Sequence, residues 1–365
     1  MPEDFTFKTG AFDSPKDPRD WTLASAGAPT TYPDSCEIDQ SWMNVSMQGK
    51  IGCCVGCTGE EVVRTIIYQL FGTQEELSFR FVYAVAKCLD GVQDEGTFPA
   101  LVAKIIRKYG VPLAKYCPND VSLDHETFVY NRNLANIPPE AFKDALTRRS
   151  GADFAVPVSA DGIMQAITYA KANKGAVMIL RRVGDTYWKD KNGNTSWRKE
   201  DLLPIRVPAV FSSGHEEYLY KYDKEPNTGR IRIYWLNHWS AQWADNGRAW
   251  EYLDEWLPYI GEIRVVVAEV PVVDNFRYTF TKPIKKGDKG ADVVALQHIL
   301  KLEGCYPEGV AFTGYFVDKT FAGVVLLQEK YRSEILLPVG LIKGTGFVGA
   351  STRAWLNKHY GITNP

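Results

Sequence analysis

The sequence predicts an α+β fold followed by a small helical domain. Three observations carry this reading: a helical period over residues 54–71, a series of strand-like segments between residues 176 and 270, and a return to helical texture after residue 283. In the first, Val55, Val62, Val63, Ile66, Ile67 and Leu70 fall on one face at i, i+3, i+4, i+7 spacing, and Gly72 supplies a stop. Further helices are expected from about Ser78 to Leu89 and from about Phe98 to Tyr109, the latter closed by Gly110. Residues 1–50 read as an extended, turn-rich lead-in, with Pro15, Pro18, Pro29 and Pro33 scattered through it.

The strand segments begin with Ala176–Leu180, a short apolar run of the buried type. Glu217–Tyr222 and Ile231–Leu236 alternate in strand fashion, and the turn residues Glu225–Gly229 between them predict a hairpin. Trp250–Tyr252 and Glu262–Val270 continue the pattern. Helices first and strands afterwards predict an antiparallel sheet segregated from the helices. The expected boundaries are a first domain over 1–270, a linker over 271–282 and a second domain over 283–365. The second domain carries an internal echo. Thr313-Gly314-Tyr315 and Thr345-Gly346-Phe347 are each followed, at equal spacing, by a threonine (Thr320, Thr352) and a helical run. With the run from Ala291, closed by Gly304, this predicts three short helices.

Composition narrows the function classes. A formal net charge of -2 gives no global basis for nucleic-acid binding. No apolar run reaches the ~18 residues that a membrane span needs. The N-terminal stretch lacks the apolar core of a signal peptide, so none is expected. The cysteines number 7, an odd count, so at least one thiol stays free; pairing of Cys88 with Cys117, or of either with Cys36, is left open. Cys54-x-x-Cys57 has no second pair to complete a zinc site, so no metal or other cofactor is expected.

The chemistry concentrates at the start of the first helix. A thiol is a weak nucleophile until it ionises. A helix N-terminus favours the thiolate through its dipole and its free N–H groups. Those N–H groups, with a nearby amide donor such as Gln48, can also hold a developing oxyanion. The run Gln48-Gly49-Lys50-Ile51-Gly52-Cys53-Cys54 places all of these together. The bland alternative is that Cys53, Cys54 and Cys57 are buried small residues. His215 and Asn237 shift the balance. His215 stands before one predicted strand and Asn237 follows the next, so pairing of those strands would let Asn237 fix the imidazole tautomer. His125, His298 and His359 are read as structural.

These residues resemble the papain/cathepsin family of cysteine peptidases. The family's Q-G-x-x-G-x-C-W stands here as Gln48 to Val55, its G-H-A as Gly214-His215-Glu216, and its N-S-W-G-x-x-W-G-x-x-G as Asn237 to Gly247. The resemblance spans roughly residues 30–270 and implies a two-lobed fold, a helical lobe with an antiparallel β-barrel-like lobe. It implies Cys54 as nucleophile, His215 as base, Asn237 as its orienter and Gln48 at the oxyanion. It further implies that Trp239 shields the His215–Asn237 contact and borders the substrate, and that Gly96, in Glu95-Gly96-Thr97, lines the substrate pocket. Departures are plain: Ile51 for a cysteine, Val55 for the tryptophan, and Ser240 and Ala244 for two glycines. Glu216 beside the histidine is unusual, and a carboxylate there could raise the imidazole pKa. The family's long inhibitory propeptide is not expected in this chain.

Residues 283–361 resemble the peptidoglycan-binding domain of bacterial and phage cell-wall enzymes. The matching residues are Lys286 to Gly290, Asp292-Val293, Leu296-Gln297, Leu300, Gly304 to Tyr306, Thr313-Gly314, Thr320 and Gln328. A small docking or dimerisation domain is the alternative. Together the two resemblances imply a thiol endopeptidase acting on peptides or proteins, with peptidoglycan as partner. The expected setting is outside the cell or at the wall, as for a phage lysin made in its host's cytoplasm. A general protein-degrading protease anchored at the wall, an amidase or acyltransferase with the same triad, and a non-catalytic wall-binding protein remain the alternatives.

Overall fold

The computed structural model describes residues 8–18, 20–26, 28–268, 276–307, 310 and 312–362. The residues 8–23 and 28–268 form one compact unit, and the described residues after 268 form the body of a second.

The centre of the first unit is helix α1 (Cys54–Phe71), ended by Gly72 in the left-handed conformation, φ 67°. Two more helices pack on it, α2 (Phe79–Leu89), capped by the Ser78 hydroxyl, and α3 (Pro99–Lys108). The approach is close. A Cβ on Gly56 would lie 2.7 Å from Tyr83 Cβ, and one on Gly59 would lie 2.5 Å from Val102 Cγ1. The apolar period of α1 marks one face only, and its other side carries Glu60, Glu61 and Arg64. Yet every residue from Cys54 to Ile67 is buried. Its polar side accordingly finds buried partners: Glu61 with His238 Nε2 at 2.9 Å, and Arg64 with Asn44 O at 3.2 Å and Glu60 at 3.5 Å.

The sheet strands are β1 (Ser35–Glu37), β2 (Ser150–Ala155), β3 (Ala176–Gly184), β4 (Phe211–Lys224), β5 (Ile231–Leu236), β6 (Arg248–Tyr252) and β7 (Ile260–Ala268). They pair antiparallel throughout in the order β2-β7-β3-β4-β5-β6, with β1 added on β4. The predicted 225–229 turn closes the β4–β5 hairpin through Gly229 N–H to Glu225 O at 2.8 Å. Strand β2 and the helix Ala160–Ala172 were not visible in the sequence pattern. β4 is the longest strand, and its face toward α1 carries the buried residues that position the site. All 7 cysteines are free thiols. No helix among the described residues is long and apolar enough to cross a membrane.

The second unit contains helices Ala291–Leu302, Asp318–Lys330 and Ala350–Tyr360 around a core that includes Leu296, Leu300, Phe316, Leu327 and Trp355. Residues 276–282, expected to end a linker, belong to this body: Phe280 is in its core and Tyr278 N–H donates to Tyr360 O at 2.6 Å. Residues 271–275 of that linker lie outside the described residues. The echo in the sequence proves to be a repeated hydrogen-bond knot. Gln297 Oε1 accepts from Gly314 N–H while its Nε2 donates to Tyr315 O and Thr320 Oγ1. Gln328 Oε1 accepts from Gly346 N–H while its Nε2 donates to Phe347 O and Thr352 Oγ1. Each glutamine satisfies buried backbone groups that would otherwise be orphaned. Replacing Gln328 with Ala should therefore lower the stability of this unit by about 2–3 kcal/mol. Urea unfolding checks this, and an unchanged midpoint would contradict it.

Candidate active site

Antiparallel pairing of β4 and β5 sets Tyr218 opposite Leu236, with a register shift between Leu219 and Lys221. This brings His215, on β4, beside Asn237, the residue after β5. Their side chains meet at 2.9 Å, Nε2 to Oδ1. The proton's place can be deduced. The same Asn237 oxygen accepts the His238 backbone N–H at 2.8 Å, so it is the amide oxygen, and His215 Nε2 must be the donor. His215 Nδ1 is then the basic nitrogen. It is buried and has no hydrogen-bond partner. Trp239 is fully buried with its ring 5.2 Å from the imidazole, roofing this contact. The loop that presents Asn237 carries Ser240 and Ala244 where the resemblance has glycines. Both adopt left-handed backbone, φ 74° and 49°.

The nucleophile loop is tied to the same place. Met47 bridges Trp239, and Gln48 N–H donates to His238 O at 2.9 Å. Cys53 occupies the N-cap position and Cys54 is the first residue of α1, as the motif register required. The backbone N–H of Glu216, next to His215, lies close enough to the Cys54 sulfur to favour its thiolate, which sets thiol and imidazole on adjoining walls. Cys53 points elsewhere, its sulfur 3.9 Å from that of Cys57. The four expected catalytic residues Cys54, His215, Asn237 and Gln48 are thus gathered in one place. The thiol and the imidazole are not hydrogen-bonded to each other among the described contacts.

The reason lies in the N-terminal segment, which the sequence presented only as a lead-in. Residues 8–14 run through the site. Gly10 N–H points at the Cys54 sulfur, and Gln48 Nε2 donates to Lys8 O at 2.7 Å and to Ile51 O at 3.0 Å. On the helical wall, Thr97 N–H donates to Gly10 O at 2.9 Å and Phe12 N–H to Thr97 O at 3.1 Å, a parallel bridge. On the sheet wall, Ala11 N–H donates to Gly214 O at 3.1 Å, Thr9 meets Ser213, and Asp13 pairs with Arg182. Lys8 reaches Glu95, whose carboxylate also accepts Gly52 N–H. Gly96, expected in the substrate pocket, adjoins this strap: a Cβ there would lie 2.4 Å from Gly10 O.

The covered site is dry, and burial decides its charge state. Burial pushes the Cys54 thiol up to about 12, against the lowering by the Glu216 and Gly10 amides. Burial, then the nearby His238, pulls the His215 imidazole down to about 3. Between those values both groups are neutral, so this conformation holds a thiol and a free base. Glu216 does not act on His215 as its sequence position suggested. Strand alternation sends its side chain to the opposite face, toward Glu262 and Arg264. Glu217, two residues on, shares the face of His215, with Oε1 at 3.9 Å from Nε2. The sequence reading missed it, although its i+2 position on a predicted strand was the available signal.

Comparison with known proteins supports the architecture. No family model matches the chain, and no curated protein matches it. Among solved structures, the crystal structure of xylellain, a cysteine protease from Xylella fastidiosa, aligns with a TM-score of 0.57 at 17% identity. The match covers 73% of this chain and 97% of that one. Digestive procathepsin L 3 of Tenebrio molitor larval midgut aligns with a TM-score of 0.51 at 13% identity, covering 72% and 76%. At these identities the likeness is one of fold: mixed helix and antiparallel sheet in the papain-like arrangement.

Gly10 gives a test of the strap. A Cβ at that position would lie 2.2 Å from Gly52 O, so Gly10→Val should push the strap out of the cleft. Overpacking of this kind costs about 1–3 kcal/mol, enough to shift the balance toward the open form by about fivefold or more. The alkylation rate of Cys54 by iodoacetamide at neutral pH, followed by mass spectrometry, should rise by that factor. A rate equal to that of the parent chain would contradict the closed geometry.

Proposed function

We propose that the first unit is a papain-like cysteine endopeptidase that uses Cys54, His215 and Asn237 as its triad. The observation that supports this best is the His215–Asn237 hydrogen bond. It leaves Nδ1 as a free base on the wall that adjoins a thiol at a helix N-terminus.

In the proposed reaction a substrate backbone takes the place of the strap. The Cys54 proton passes to His215 Nδ1, and the sulfur attacks the scissile carbonyl carbon. The oxyanion is held by Gln48 Nε2, released from Lys8 O, and by the Cys54 backbone N–H. His215 returns its proton to the leaving amine as the C–N bond breaks. Water, deprotonated by His215, then hydrolyses the thioester and restores the thiol. Asn237 keeps Nε2–H engaged throughout, so Nδ1 faces the chemistry at every step. Gly96 and Trp239 border the substrate in this reading, Gly96 through the backbone edge that now pairs with the strap.

The second unit is proposed to bind peptidoglycan, which would direct the peptidase to stem or cross-bridge peptides of a bacterial wall. Its support is the sequence resemblance together with the three helices and their paired Gln–Thr knots. An ordinary protein substrate is the competing reading, favoured by the fold of the first unit alone.

Cys54→Ala should abolish hydrolysis while leaving the fold intact by circular dichroism, and Cys53→Ala should retain it. Full turnover by the Cys54 variant would overturn the assignment. Purified cell walls and casein, tested in parallel with the Gly10→Val chain, separate the substrates. Loss of wall turbidity is expected, whereas casein cleavage without it would favour a general protease.

A further inference from the structure

Beneath the His215–Asn237 pair lies a buried charge cluster that the reaction above does not use. Arg181, on β3, is the register partner of His215 and is fully buried. Its guanidinium packs 4.0 Å from the centre of the Trp235 ring, among Tyr187 and Trp256. It holds two carboxylates at once: Nε donates to Glu217 Oε2 at 2.9 Å, and Nη1 donates to Glu251 on β6. One guanidinium thus faces two buried acids. The second oxygen of Glu217, Oε1, has no hydrogen-bond partner and is the atom 3.9 Å from His215 Nε2.

We propose that Glu217 is a positioning residue for the catalytic histidine, its Arg181-held carboxylate supplying the countercharge for the His215 imidazolium that forms when Cys54 gives up its proton. This rests on the peptidase reading of the same site. The charge count is simple. Arg181 with both glutamates ionised carries one surplus negative charge. With His215 neutral, that surplus is relieved by a proton: burial holds Glu217 up at about 8 and Glu251 up at about 7, so near neutral pH the cluster keeps a proton, which leaves as the imidazolium forms. Transfer of the thiol proton to Nδ1 places one positive charge on the ring, beside the unpaired oxygen. Apart from that departing proton, no bond to Glu217 forms or breaks.

Apart from the Cys54 thiolate itself, the other groups around the ring supply no negative charge. Asn237 is neutral. His238, whose ring centre is 5.9 Å away, is held neutral by burial, which pulls it down to about 3. Glu61, on α1, is committed to His238. Arg181 itself opposes the imidazolium, and Cys54 becomes the opposite partner on the far side of the ring. On β4, Glu216 faces away. From the strap, Gly10 offers only backbone at the sulfur. Glu217 is therefore the carboxylate placed to stabilise the charged ring.

The test is the pH profile of Cys54 carboxymethylation by iodoacetate, which reacts fastest while the thiolate and imidazolium coexist. It is measured by peptide mass spectrometry in the full chain, with and without Gly10→Val. Glu217→Gln keeps the shape and removes the charge. It should move the alkaline limb down by about one pH unit or more while leaving the acid limb in place or slightly lower, narrowing the window. Glu217→Asp keeps the charge and changes the shape, and should retain a window close to the parent's. Glu251→Gln, which also removes a carboxylate from Arg181 but one not within 4.0 Å of the ring, should shift the limbs much less. Superimposable profiles for the Gly10→Val chain with and without Glu217→Gln would overturn the inference, as would equal shifts for Glu217→Gln and Glu251→Gln. Failure of the peptidase reading looks different: the Gly10→Val chain with Glu217 intact would itself show only the rising curve of an ordinary thiol.

Discussion

The arrangement of the site depends on a hydrogen bond between His215 and Asn237, made possible by the register in which β4 meets β5. A slip of one residue in that pairing would turn His215 to the opposite face and expose it to a different environment. The bond also fixes chemistry. Because Asn237 Oδ1 is committed as an acceptor by the His238 backbone, the imidazole has a single favoured tautomer with Nδ1 as its base. The loop holding Asn237 is then locked to the nucleophile loop by the Met47–Trp239 bridge, so thiol and imidazole are placed by one connected piece of backbone.

The second theme is exclusion of water. The strap of residues 8–14 closes the cleft with backbone hydrogen bonds to both walls, and it occupies the Gln48 side-chain amide, the proposed oxyanion donor. It runs parallel to the Thr97 edge, with Lys8 O on Gln48 and Gly10 N–H on the sulfur. In that dry state both reacting groups are neutral, because desolvation outweighs the amides that would favour a thiolate. The same desolvation makes nearby fixed charges matter more, which is why the Arg181 cluster below the ring bears on the chemistry above it.

How far the sequence revealed this varies by kind of interaction. Local patterns were legible. Period and a terminal glycine located α1, and motif spacing placed Cys54 at its first residue rather than Cys53. The hairpin between β4 and β5 was readable from its turn residues, and with it the meeting of His215 and Asn237. The burial of the polar side of α1 was not legible, since Glu60, Glu61 and Arg64 are buried against distant residues that no local pattern names. Ser240 and Ala244 stand where the resemblance has glycines, and both adopt left-handed backbone. The strap escaped notice because its partners, Gln48, Thr97 and Gly214, lie far along the chain. Glu217 was obscured by its neighbour Glu216, whose adjacency in sequence places it on the wrong face of the strand.

The most direct test of the central claim is active-site labelling with a thiol-directed epoxide, applied to the full chain and to the chain with its strap released by Gly10→Val, with the adduct located by mass spectrometry. A single adduct on Cys54, formed faster after release and lost when His215 is replaced by Ala, is the result the account predicts. Labelling of Cys53 or Cys57 instead, or of Cys54 at a rate indifferent to His215, would contradict it.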